Sequence, residues 1–281
     1  MIIDSHMHVV EQWPFGPVPN PNEHGHPARL LAQMDAAGVA RGLLVSAIFR
    51  GGDSNDFTMQ SARSYPDRFL AFPNFESMGS PNYQQPGAAD RLAVLHERLG
   101  GFPGLTHYCK DYAWFDSAEG NRFYQKAADL KLTVSIAVFA EGIVPLARLA
   151  RRFPGITFLV HHCGRLALRD KPAEADAGPL RDATVAAADN LWFKLSGFHH
   201  MSALPGGYPY PQLHWVYRAL FEAIGPRRLV WGSDSPVSDM HMTYQQSLDL
   251  FRHHTPYIPA HDKELILGGN LTKLLSWPSP Q

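Results

Sequence analysis

The chain has 281 residues, 45% of them hydrophobic, a formal net charge of −1 and two cysteines. That length suits one α/β barrel, with a core large enough to need neither disulfides nor a structural metal. Near-balanced charge excludes the basic excess of a nucleic-acid or anionic-membrane partner, and no apolar run reaches the roughly 20 residues of a membrane span.

The opening MIIDSHMHVV lacks the basic segment and small-residue cleavage site of a signal peptide. Cys109 and Cys163 are too few for a disulfide framework, so the expected compartment is the reducing cytoplasm. In chain order, β-branched and aliphatic runs predict strands at 2–5, 43–47, 69–73, 102–106, 132–138, 156–161, 191–196 and 228–233. Helical patterns fall at 27–38, 55–65, 87–99, 119–131, 142–153, 176–188, 211–224 and 242–254. Pro27 opens the first helix and Gly38 closes it, the usual asymmetry. A strand plus crossover helix takes about 30 residues, which matches the spacing. The fifth and sixth strand runs are nearly all apolar, as for parallel strands covered on both faces. Eight such alternations predict an α/β fold, a single-domain (β/α)8 TIM barrel over residues 1–281. A doubly wound sheet is the rival, but no glycine-rich phosphate turn follows the first strand.

Three long connections, 11–26, 107–118 and 198–212, are rich in proline, glycine and aromatics. In a barrel they rise from the C-terminal face, where active sites sit, with Trp13, Trp114, Tyr208 and Tyr210 as candidate pocket walls.

Histidine, a common metal ligand and proton carrier, occurs 15 times. Asp4, His6 and His8 alternate along the first strand and share one face, so two imidazoles meet at the barrel mouth. Paired imidazoles suit Zn²⁺ or another borderline divalent ion. The sixth strand ends His161-His162-Cys163-Gly164-Arg165; alternation turns one histidine inward, and His162 is assigned to the mouth, leaving His161 toward the helices. Arg165 can clamp a carboxylate through its guanidinium. Asp234, just past the eighth strand, can bind metal or activate water. Further candidates for touching substrate are His107 and Lys110 after the fourth strand, His199 and His200 after the seventh, and Arg50 after the second. Lys194 lies within the seventh strand, its partner unreadable, and Cys163 is read as an inert buried thiol.

The D-x-H-x-H start, the H-x-G of His162 to Gly164 and the W-G-S-D-x-P around Asp234 resemble the amidohydrolase superfamily. More narrowly, the chain resembles the amidohydrolase-related group of metal-dependent decarboxylases and sugar-acid or 2-pyrone-4,6-dicarboxylate lactonases. The terminal ILGGNLTKLLSWP is similar to that group's closing helix. The resemblance implies that His6, His8 and Asp234 hold a divalent metal, with zinc the leading ion, and that Asp234 and His162 are catalytic. Many members carry a metal-binding histidine at the end of the fifth strand, where Leu132-Thr133-Val134-Ser135-Ile136-Ala137 ends in alanine. The decarboxylase branch typically keeps that histidine and the lactonase branch typically lacks it, and the dicarboxylate lactonases place arginine where Arg165 stands. Metal-independent catalysis is therefore open.

The leading expectation is a hydrolase that opens a lactone of a sugar acid or carboxylated small molecule by Asp234-activated water. The alternatives are a metal-dependent decarboxylase of an aromatic or unsaturated acid, and a catalytically silent barrel that binds a carboxylate. The expected partner is a small anionic substrate, with no nucleic acid and no membrane; a homo-oligomer is compatible with the reading.

Overall fold

A computed structural model describes residues 1–49, 52–167, 174–202 and 207–277. The first half of the alternation runs β1 Ile2–Met7, α1 Pro27–Ala37, β2 Val39–Val45, α2 Asn55–Ser64, β3 Phe69–Phe72, α3 Ala88–Arg98, β4 Gly104–Tyr108 and α4 Ala118–Asp129. The second half runs β5 Thr133–Ala137, α5 Ile143–Arg152, β6 Phe158–Val160, α6 Ala183–Ala186, β7 Leu191–Leu195, α7 His214–Ile224, β8 Leu229–Trp231 and α8 Tyr244–His253. A short antiparallel hairpin, Ile48–Phe49 with Gly52–Asp53, follows β2. No helix among the described residues is long and apolar enough to cross a membrane.

The strands pair in parallel as β1-β2-β3 and β8-β7-β6-β5-β4. Single bridges join the two groups, Asn74 to Thr106 on one side and Met7 to Ser235 on the other. At the second seam the amide of Asp234 donates to the His6 carbonyl at 2.8 Å, and that of His8 to the Ser235 carbonyl at 2.8 Å. The fold is the (β/α)8 barrel that the sequence predicts. Every residue of β5 and β6 is buried, as strands between an inner core and an outer helix layer must be. The one element that departs is the helix expected over 176–188. A 3₁₀ segment, Glu174–Arg181, precedes the single turn of α6 there, because Pro179 has no amide donor and obstructs the preceding turn.

The barrel interior is layered. Ile3, Leu43, Phe72, Leu159 and Val230 pack with Leu271 and Leu275 of the closing segment. That segment reaches the start of β1 only because Gly268 has no side chain; a Cβ there would meet the Met1 carbonyl at 2.2 Å. Toward the C-terminal strand ends the interior turns polar, and Ser135, His6, His161 and Lys194 are all 0% exposed.

Asp4 stitches the β1/β8 seam beneath these groups. Its Oδ1 accepts from the amides of His6 at 3.0 Å and Ser233 at 2.9 Å, and its Oδ2 from the Tyr244 hydroxyl at 3.0 Å. Removing it leaves buried donors with no acceptor, so Asp4→Ala is expected to lower stability by about 3 kcal/mol. Urea unfolding measures this, and an unchanged midpoint would show that the backbone bridge alone holds the seam.

Candidate active site

Extended backbone through β1 places the His6 and His8 rings on one face, 4.9 Å apart. Asp234 occupies the first turn beyond β8 with φ 63°, a left-handed conformation that a branched acidic residue adopts at a cost. This turn aims its carboxylate back over β1. Its Oδ1 lies 3.1 Å from His8 Nε2, 3.4 Å from His6 Nε2 and 3.9 Å from His162 Nε2. Its Oδ2 accepts from His199 Nε2 at 2.9 Å and His200 Nε2 at 2.8 Å, both carried by a one-turn helix, Phe198–Met201. Five imidazoles therefore surround one carboxylate that is 1% exposed.

The alternation expected for His161 and His162 does not hold, because β6 ends at Val160. His162, Cys163, Gly164 and Arg165 all have positive φ, and this tight turn cancels the two-residue period. Both histidines face the interior: the His161 ring lies 4.5 Å from that of His6, and the His162 ring 4.6 Å from it. Gly197, at φ 78°, makes room for His162, since a Cβ there would meet the His162 Cβ at 2.5 Å. Cys163 is buried with its thiol near the Lys194 and Ser196 carbonyls, and burial pushes it up to about 12, as an inert thiol requires.

Burial alone would favour the neutral acid at Asp234, but the His162 imidazole and hydrogen bonds from His199, His200 and His8 hold it well below the usual carboxylate range. Burial lowers His6, His161 and His162 well below the ordinary histidine value, with Lys194 adding to the effect at His6 and His161. Lys194 itself is pushed down to about 7 by burial, against the carboxylates of Asp4 and Asp234. The result is an ionised carboxylate beside two imidazoles, His6 and His162, that burial keeps neutral.

Above Asp234 opens a cavity of about 240 Å³. Its apolar lining comes from Phe15, Ile48, Met78 and Val237, and its polar lining from Tyr108, His162, Arg165 and His200. The Arg165 guanidinium lies over the Phe139 ring, 5.0 Å from its centroid, which fixes the fork while leaving its edge to the cavity. Burial raises Tyr108, with Asp234 adding to it, so its phenol stays a neutral donor. A larger cavity of about 480 Å³ beside Trp192, Arg227 and Lys273 has no such cluster, so size does not locate the chemistry.

His6, His8 and Asp234 offer ligand atoms within 4.8 Å of one another, a set that could hold a metal ion. Two imidazoles and a carboxylate with an open cavity above match a catalytic three-ligand arrangement. His8 suits it: Nδ1 donates to the Val45 carbonyl at 2.6 Å, which fixes the ring with Nε2 toward Asp234. His6 Nε2, buried and forming no hydrogen bond, also faces the cluster. The donor set fits a divalent ion. Ala137 ends β5, fully covered, so that strand contributes no imidazole.

Several expected substrate contacts fall elsewhere. His107 points outward from β4 among Phe75, Trp114 and Phe123, while Tyr108, one residue on, faces the mouth. Lys110 is exposed beyond the strand, where its ammonium stays hydrated. His199 lies behind Asp234 rather than along the cavity, while His200 lines it. Arg50 lies outside the described residues. Trp13, Trp114, Tyr208 and Tyr210 do not line the cavity; from those loops Phe15, Tyr108 and His200 do. The residues that sequence reasoning passed over are Tyr108, Ser135 and His161.

A barrel with histidines and an aspartate gathered beneath a cavity at its C-terminal mouth has the arrangement of an enzyme active site. The amidohydrolase family model matches residues 3–277, and the chain belongs to that family. It is 26% identical over 261 residues to the 4-sulfomuconolactone hydrolase of Rhizobium radiobacter, covering 84% of this chain and 75% of that protein. Among solved structures it is similar to an amidohydrolase from Burkholderia multivorans with bound zinc, with a TM-score of 0.75 and 21% identity over 99% of this chain and 100% of that one. A probable 2-pyrone-4,6-dicarboxylic acid hydrolase from Acinetobacter baumannii with bound citric acid gives a TM-score of 0.73 and 19% identity, over 97% and 98% of the two chains.

The misplaced His107 has its own consequence. Burial pushes it down to about 4 from 6.5, with the Phe75 carbonyl opposing. The unfolded chain takes up this proton first, so stability is present above the unfolded value and is lost as pH falls from about 6.5 toward 4. His107→Asn keeps a donor for Phe75 without the titration, and from pH 7 to pH 4 it should gain about 3 kcal/mol on the wild type. Urea unfolding across that range reads the difference, and parallel profiles would contradict it.

Proposed function

We propose that the protein hydrolyses a small lactone carrying an anionic group, a carboxylated cyclic ester or sugar-acid lactone. The observation that carries this reading is the Asp234 carboxylate, ringed by imidazoles, in the lining of a cavity that Arg165 also lines. Similarity to the 4-sulfomuconolactone hydrolase supports the same reaction class. Arg165 binds the anionic group bidentately and orients the ring, its carbonyl carbon over Asp234.

Asp234 accepts a proton from water as the water oxygen bonds to that carbon. Ser196 Oγ lies 3.0 Å from His162 Nδ1, and a hydroxyl donating there leaves His162 with an Nε2–H for the developing oxyanion. Tyr108 supplies a second neutral donor in the same cavity lining. Collapse breaks the ring C–O bond, Asp234 returns its proton to the leaving alkoxide, and the new carboxylic acid ionises. A divalent ion, zinc being suited to nitrogen and oxygen donors, would be held by His6, His8 and Asp234 and would supply Lewis-acid polarisation of the carbonyl.

A pH-stat screen of carboxylated and sugar lactones tests the reading, with carbon dioxide monitored alongside. Asp234→Asn should lower kcat about a thousandfold with the melting temperature retained. Arg165→Gln should raise KM about 30-fold for an anionic lactone while kcat changes little. No ring opening across the screen by folded protein, or carbon dioxide release instead of acid, would overturn the proposal.

A further inference from the structure

Lys194 projects from β7 into the barrel and is 0% exposed, beneath the cavity rather than along it. Its Nζ lies 3.1 Å from His6 Nδ1 and donates to Ser135 Oγ at 2.6 Å. Ser135 Oγ in turn lies 2.7 Å from His161 Nε2. In its ammonium form Lys194 has donors and no acceptor. It therefore makes His6 Nδ1 the accepting nitrogen and leaves the neutral ring its proton on Nε2. That nitrogen faces Asp234 Oδ1 across 3.4 Å.

The two first-strand imidazoles are thus set in opposite senses. His8 donates through Nδ1 to a carbonyl, the orientation that metal-ligating histidines ordinarily have. His6 has a cation where that carbonyl or carboxylate would stand. We propose that Lys194 is a positioning residue that keeps the His6 proton on Nε2, facing Asp234, and thereby holds down the affinity of the His6–His8–Asp234 cluster for divalent ions. To ligate through Nε2, His6 must move its proton to Nδ1, against a donor, and the ion must share the interior with the ammonium charge. The same arrangement turns an N–H dipole toward the carboxylate and steadies it without an ion.

The test needs no turnover, so it stands or falls apart from the lactone reading. In metal-free protein labelled with ¹⁵N-histidine, long-range proton–nitrogen correlation reads the His6 tautomer, assigned by the signal lost in His6→Asn. The expected result is a protonated Nε2 and an unprotonated Nδ1, and a proton on Nδ1 overturns the proposal without any Lys194 variant. Zinc affinity is then measured by competition with a chromophoric chelator for metal-stripped wild type, Lys194→Met and Ser135→Ala. Lys194→Met should bind zinc about tenfold more tightly or better, and Ser135→Ala, which leaves the ammonium on His6, should bind as wild type does. Equal or weaker binding by Lys194→Met, or an equal gain in Ser135→Ala, would overturn it.

Discussion

The site depends on keeping a carboxylate ionised where water barely reaches. Asp234 is 1% exposed, and a buried anion without partners costs several kcal/mol even after relaxation. Five imidazoles from β1, the turn after β6 and the helix after β7 meet that demand. The backbone accommodates them through positive φ at Asp234, at His162, Cys163 and Arg165, and at Gly197. Each strained non-glycine residue costs of order 1–3 kcal/mol, so the strain persists because the satisfied carboxylate and surrounding packing over-determine it.

Beneath the carboxylate the interior changes from hydrocarbon to a single polar layer. Lys194 is the only cation among the described residues in that layer, and it is flanked by Ser135, His6 and His161 rather than by a salt-bridging acid. Asp4 and Asp234 favour its charge from a distance while burial opposes it. The site and the core are therefore one electrostatic unit: the groups that hold Asp234 in place are held in turn by hydrogen bonds that run down into the barrel.

Much of the fold was legible because parallel strands covered on both faces are written as apolar runs, and β5 and β6 show this plainly. His6, His8 and Asp234 were legible for a related reason: alternation carries through β1 and one residue past its end at Met7, and the end of β8 marks the barrel mouth. His161 was not, because the chain turns into positive φ at His162, just after β6, and the two-residue period stops there. The choice between His107 and Tyr108 turned on one residue of register, and a strand predicted to end at 106 could not make it. Lys194 stood in view, but its partners His6 and Ser135 are 188 and 59 residues away, contacts that only closure of the barrel creates. The break before α6 could have been read from Gly178-Pro179.

The account rests on water attack at a lactone carbonyl above Asp234. The most direct measurement is a single turnover of a lactone labelled with ¹³C in its exocyclic carboxylate, carried out in ¹⁸O-water and read by mass spectrometry. The account predicts an opened product that retains all of its ¹³C and has gained one ¹⁸O in the new carboxylate. Release of ¹³CO₂ with no ¹⁸O in the remaining molecule would contradict it.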